Sequence, residues 1–164
     1  MATKKIGKHA LVISEALCHL RYSKQCEYVV SEFMKCDALG IKGDVITEYE
    51  IKLSINDLKN ELKKPKHSIY NSLSRKFKPT YFYIVIPKHL VEKAIIWVTE
   101  NIPHAGVISY EPATYKGYKI RTHMLVKKRA KKLNSKKLTE KQTKSLIKRI
   151  VSSMLQTKIK ELNL

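Results

Sequence analysis

From Lys4 to Arg21 apolar residues return at helical spacing, at Ile6, Ala10, Ile13, Leu17 and Leu20, with Leu11, Val12, Ala16 and Cys18 widening the stripe. The spacing predicts a helix that is mostly buried. Glu15, the only acid among the first 26 residues, falls inside this apolar segment, where a carboxylate needs a partner or a role. The period then shortens to two. Cys26 to Phe33 and Lys35 to Leu39 read as strands, and Gly40-Ile41-Lys42-Gly43 leads into a third, Asp44 to Leu53, so a β-meander follows the helix. On the third strand Val45, Tyr49, Ile51 and Leu53 alternate with Asp44, Ile46, Glu48, Glu50 and Lys52, which predicts one core face and one charged face. An even-numbered hairpin loop sets Asp37 on the side of Glu50 and Lys52, whereas an odd one turns it away.

Ser54-Ile55-Asn56-Asp57 has the form of a capping box and predicts a helix over 55–64, stopped by Pro65. A lysine-rich polar stretch continues to Lys78. Tyr81 to Ile86 is bulky on both sides, as a central strand should be, and Pro87 ends it. Lys88 to Asn101 is the next helix; Val107 to Tyr110 is a short strand, and Tyr115-Lys116-Gly117-Tyr118 makes a small hairpin or loop. A second capping box, Thr139-Glu140-Lys141-Gln142, opens a last helix expected to bury Leu146, Ile147, Ile150, Val151, Met154 and Leu155. The expected fold class is α+β, with a mixed sheet of four to five strands in the order αβββαβ and a basic C-terminal helix. Residues 1–112 form the core, and 113–164 a basic extension packed on the same domain.

Charge sharpens this picture. The 164 residues carry a formal net charge of +19, and it is placed unevenly. Residues 1–114 hold 17 basic side chains against 12 acidic, while 115–164 hold 16 basic against Glu140 and Glu161 alone. A polycation of that density holds a polyanion by releasing its counterions, so nucleic acid is the expected partner. Only five of the 33 basic residues are Arg. Because Arg reads guanine edges with its fork while Lys acts as a point charge, phosphate contacts should outweigh base contacts. Cys18, Cys26 and Cys36 are an odd set without a C-x-x-C pair, which argues against a disulfide framework or a four-thiolate metal site and fits a reducing cytoplasm. No apolar stretch approaches the roughly 20 residues that span a bilayer, and no apolar leader segment opens the chain, so no membrane is expected.

The candidate chemistry lies on the charged face of the meander. Asp37 and Glu50 are hard-oxygen donors suited to Mg²⁺, with Mn²⁺ as a substitute, and Lys52 beside them suits charge that develops on a phosphate. A D/E-x-K triplet arises about twice by chance in a chain of this composition, and three occur, beginning at Glu50, Asp57 and Glu61. Only Glu50-Ile51-Lys52 sits on a strand. The same three side chains also read as a solvated cross-strand ion-pair face, and Glu48 as a surface ion pair.

Helix Glu15, then Asp37, then Glu50-Ile51-Lys52 followed by Ser54 and a helix, resembles the PD-(D/E)XK nuclease superfamily, which includes Holliday-junction resolvases and restriction endonucleases. The resemblance covers roughly residues 10–112, though Cys36 stands where the motif often has Pro. It implies a restriction-endonuclease-like core and Mg²⁺-dependent endonucleolytic hydrolysis of DNA. By resemblance, Asp37, Glu50 and the Ile51 carbonyl hold the metal, Lys52 is the catalytic lysine, and Glu15 is an accessory catalytic group. Several members act as homodimers, but no stretch of this sequence marks an interface. Lys127, Lys128, Arg129, Lys131, Lys132, Lys136 and Lys137 are expected to bind the phosphates of duplex or branched DNA, with Lys66 and His67 nearer the site. The alternative is a catalytically inactive nucleic-acid-binding protein on the same scaffold.

Overall fold

Apolar stripes at period 3.6 and period two need a sheet for the helices to cover, and the chain supplies a mixed one. The computed structural model describes residues 7–70, 72, 77–115 and 118–161, apart from the side chains of 113–115, 118–122, 158, 160 and 161. Helix α1 (Lys8–Cys18), prolonged by one wider π turn, leads into strands β1 (Tyr28–Phe33), β2 (Cys36–Lys42) and β3 (Val45–Ile51). Two short helices, α2 (Ile55–Asn60) and α3 (Lys66–Tyr70), cross to β4 (Tyr81–Pro87). Helix α4 (Val91–Asn101) crosses to β5 (Gly106–Tyr115), and β6 (Tyr118–Lys128) and α5 (Glu140–Glu161) complete the chain. The strands lie in sequence order; β3, β4 and β5 are mutually parallel, and the other neighbours are antiparallel.

The chain is therefore α+β, with six strands rather than the four to five expected. The short strand at Val107 continues to Tyr115, and the start of the basic tail pairs with it as β6. Ile120, Met124 and Val126 fall at even positions there among Lys119, Arg121, Lys127 and Lys128, and the charge run masked that period-two signal. Of the expected features, Ile6 and the Lys116-Gly117 hairpin tip lie outside the described residues.

One face of the sheet is covered by α1: Val12, Ala16 and Leu20 pack on Ala38, Tyr49 and Ile51. The other face is covered by α4 over Phe82, Ile84 and Ile86, and at the β1 side by Leu146 of α5 over Leu39, Ile41 and Ile46. Glu48 and Glu50 belong to this second face. The solvated charged face expected for β3 does not exist, because both sides of the strand are buried.

Both capping boxes form. Ser54 Oγ accepts the Asp57 amide at 3.1 Å, and Asp57 returns to the Leu53 amide at 3.3 Å. Thr139 and Gln142 close the second box. Helix α5 departs from expectation further along: Leu146 is buried and Ile150 half-buried, but Ile147, Val151, Met154 and Leu155 are exposed, because the helix continues past β1, the edge of the sheet.

The segment after β6 runs as a strap beneath the strands. Lys131 donates its amide to the His104 carbonyl, and Leu133 donates to that of Thr80. Gly106 makes this approach possible: a Cβ there would meet the Tyr83 ring at 2.3 Å and the Ala130 backbone nitrogen at 2.7 Å. Gly106→Ala should therefore lower stability by about 1–3 kcal/mol through overpacking, read as a lower urea midpoint at unchanged slope.

Candidate functional site

Side chains alternate along a strand, so residues 48, 50 and 52 project to one side of β3 as it ends. Lys52 extends the ladder one step by donating its amide to the Val85 carbonyl at 2.9 Å. The β2–β3 loop is the two-residue turn Gly43-Asp44, which sets Asp37 in line with Glu50 through the register Ala38↔Tyr49. At that point the ladder stops, and the Ile51 amide donates instead to Asp37 Oδ2 at 2.8 Å. The register thus sets Asp37 level with Glu50, as the even-loop expectation requires, and the Glu50 charge acts on it.

The Ser54 cap turns the chain at once into α2, and this brings Glu61 back over the row. Pro65 then starts a separate short helix carrying Lys66, His67 and Tyr70. The outcome is a buried network. Lys52 Nζ lies 2.7 Å from Glu61 and 3.2 Å from Glu50. Lys66 Nζ lies 2.7 Å from Glu50, 2.8 Å from Glu48 and 3.1 Å from Glu61, and sits over the Phe82 ring. Lys64 pairs with Glu50 and, at 3.0 Å, with Glu61. His67 Nε2 meets Glu61 Oε1 at 3.1 Å, and the Tyr70 hydroxyl donates to Glu48 at 2.6 Å. Glu48 and Glu61 are fully buried, and Glu50 and Lys52 nearly so.

Burial by itself would neutralise Glu50, Glu61, Lys52 and Lys66, and their partners overrule it. For Glu61, burial pushes the pKa up, but the His67 hydrogen bond and the Lys66 and Lys52 ammoniums hold it well below the usual carboxylate range. Glu50 is lowered against the same burial, chiefly by Lys66. Lys66 and Lys52 are raised against burial by the surrounding carboxylates, so both stay charged. Asp37 is the exception. Burial first and the Glu50 charge second raise its pKa, with the Ile51 hydrogen bond, His9 and Lys64 offsetting only part.

The other expected site residues fall differently. Glu15 is on α1, which packs on the opposite face of β2 and β3 from Glu48 and Glu50. The α1 side chain facing Asp37 at 3.6 Å is His9, and Glu15 begins about 9 Å further along that helix. Lys66 and His67, expected to touch DNA, are inside the ion network. Glu48, expected as a surface pair, is wholly buried. Glu61, Lys64 and Tyr70 join a site that sequence reasoning had not given them; the signal for Glu61 and Lys64 was their spacing of three on a helical turn just before Pro65. Lys127, Arg129, Lys131, Lys132, Lys136 and Lys137 are exposed along β6 and the strap, Lys137 being paired with Asp44 at 2.9 Å. Lys128 donates to the Pro103 and Ala105 carbonyls. The strap crosses where β4 and β5 begin, and Glu50 lies where β3 ends, about 13 Å along the strand direction.

His104 is packed among His67, Tyr70 and Phe82, with both ring nitrogens unpartnered among the described residues. Burial, then the charges of His67, Lys128 and Lys131, hold its pKa down to about 4. The unfolded chain takes up this proton near pH 6.5 and the native one near 4, so stability is complete above pH 6.5 and falls on acidification between these values. From pH 7 to 5 this one group costs about 2 kcal/mol. His104→Phe should remove that share of the acid sensitivity in denaturant titrations at the two pH values.

Among the described residues, no three His, Cys, Asp or Glu side chains are grouped to hold a metal ion. Asp37 and Glu50 carry the hard oxygens that Mg²⁺ takes, but both oxygens of Glu50 already lie on lysine ammoniums. The Lys64 ammonium, 39% exposed, is the one of these three lysines nearest solvent.

No protein-family model and no curated protein matches the chain. Among solved structures the fold resembles SPO1766, a protein of unknown function from Silicibacter pomeroyi, with a TM-score of 0.56 and 15% identity over 95% of this chain and 92% of that one. At that identity the likeness establishes a shared α+β architecture. No helix among the described residues is long and apolar enough to cross a membrane.

Proposed function

We propose that the protein is a divalent-metal-dependent endonuclease that hydrolyses DNA phosphodiester bonds. The observation that carries this reading is the register that sets Asp37 level with Glu50 where β2 and β3 stop pairing, with Lys52 next after Glu50 on its side of β3. Up to Pro87 the chain runs helix, three strands, two short helices and a strand, the order that the PD-(D/E)XK resemblance implies but for the extra short helix α3. Asp37 and Glu50, with the Ile51 carbonyl, would hold Mg²⁺ or Mn²⁺. When bound, the ion neutralises the scissile phosphate and acidifies a water molecule. Lys52 is kept charged and fixed by Glu50 and Glu61, so it can orient the attacking water or stabilise charge on the phosphorane without reorganising. The exposed lysines and Arg129 of β6 and the strap supply affinity for phosphates that the acidic row repels.

A second reading, a DNA-binding protein without catalysis, is favoured by one observation: both oxygens of Glu50 are already engaged by lysines. Supercoiled plasmid incubated with Mg²⁺, Mn²⁺ or EDTA separates the two. Nicking in either metal and none in EDTA supports hydrolysis, whereas retarded but intact plasmid in all three supports the binder.

A further inference from the structure

The turn joining β1 to β2 is built against its residues. Phe33 pairs with Cys36, so Met34 and Lys35 form a two-residue hairpin loop. Their φ values are 52° and 64°, and Glu32 has 53°. Loops with positive φ at both central positions take Asn-Gly or Gly-Gly, because a side chain costs roughly 1 kcal/mol or more at each such residue. A tip that keeps two long side chains under that strain has a use for them.

Across from the tip lies a cleft of about 670 Å³, within the range of roughly 300–1,000 Å³ typical of small-ligand sites. Met34 and Lys35 form part of its lining, with Ile69, Tyr70 and Phe77, while Lys64 and Lys66 connect it to Glu50. Among the described residues no carboxylate lines it, so the cleft joins an apolar and aromatic surface to ammonium groups. That combination suits one unpaired nucleotide, with its base on the apolar surface and its phosphate near the exposed Lys35 ammonium at the mouth, since Lys64 and Lys66 are already engaged by carboxylates. A base stacked inside a continuous duplex does not offer its face to such a wall.

We infer that this cleft takes an unpaired nucleotide next to the phosphate at Glu50, so that the preferred substrate is DNA with a gap, flap or fork rather than continuous duplex. The inference rests on the nuclease reading for its substrate, but not for its binding test. The probe is a duplex with a three-nucleotide single-stranded gap carrying 2-aminopurine, compared with the same duplex fully paired, both in EDTA. Stacking of one base predicts about tenfold tighter binding of the gapped probe and a change in 2-aminopurine emission. Lys35→Gly, and separately Met34→Asn with Lys35→Gly, should abolish that preference while leaving affinity for continuous duplex unchanged. Lys35→Gly should also keep or raise the melting temperature, because glycine accepts the positive φ, so lost preference cannot be ascribed to unfolding. Equal binding of the two probes by the native protein, or an undiminished preference in both variants, would overturn the inference. A gap preference in EDTA with plasmid left whole in Mg²⁺ and Mn²⁺ would uphold the cleft and remove hydrolysis; cleavage without a gap preference would do the reverse.

Discussion

Asp37→Asn is expected to reduce plasmid nicking by about a thousandfold, the scale of removing one preorganised electrostatic group from a reacting site, while leaving the fold and DNA affinity intact. The amide oxygen can still accept the Ile51 N–H that Asp37 Oδ2 takes at 2.8 Å, so the junction of β2 and β3 survives. What disappears is the negative charge. Because burial and the Glu50 charge raise the Asp37 pKa in the native state, its ionised form opposes folding, and that opposition grows as pH rises through the titration. The variant should accordingly melt at the same temperature or higher at neutral pH. A site residue whose removal stabilises the protein is the signature of a charge kept for chemistry. Unchanged nicking in this variant would refute the metal assignment, and a large fall in melting temperature would mean that Asp37 holds the strands together instead.

Lys66→Met carries the second large effect, this time on stability. Its ammonium is shared by Glu48, Glu50 and Glu61 in a buried setting. Methionine fills similar space beside Phe82 but leaves three carboxylates without their common partner. Breaking a buried ion network from one side costs about 3–5 kcal/mol, which for a chain of this length lowers the melting midpoint by about 10 °C. Pairing the change with Glu48→Gln should restore part of the loss, since one uncompensated charge is then removed and Tyr70 keeps a partner at that position. A single variant that melts like the native protein would show that Glu48, Glu50 and Glu61 hold their charges by other means.

The meander was legible because its signals are local. Alternation from Cys26 onward marks the strands, the connection expected over Gly40-Ile41-Lys42-Gly43 shortens to Gly43-Asp44 because β2 runs on to Lys42, and the Ser54 and Thr139 boxes mark helix starts whose hydrogen bonds form. From these Asp37 falls on the side of Glu50 and Lys52 only if the hairpin loop is even, and the two-residue turn of the structure decided that. The sixth strand was hidden, since its alternation is laid over a run of lysines and arginines. Glu48 was misjudged for a different reason. The alternation of β3 gives which side a residue takes, but not whether that side meets water, and here α3 closes over it.

Sequence alone determined the order of the elements other than α3 and β6, the polycationic C-terminal third and the alternation of β3 that suggests chemistry, because periodicity, capping and charge act between near neighbours. Tertiary structure decided everything that requires distant segments to meet. It brought Glu61, Lys64, Lys66 and Tyr70 from two short helices onto the row from β3, exchanging solvent for a network in which each buried charge has its counterpart. It also bent the β1–β2 tip to face α3 across a cleft. Those contacts depend on how helices settle on a sheet, a balance of burial and ion pairing over the whole domain that no local pattern encodes.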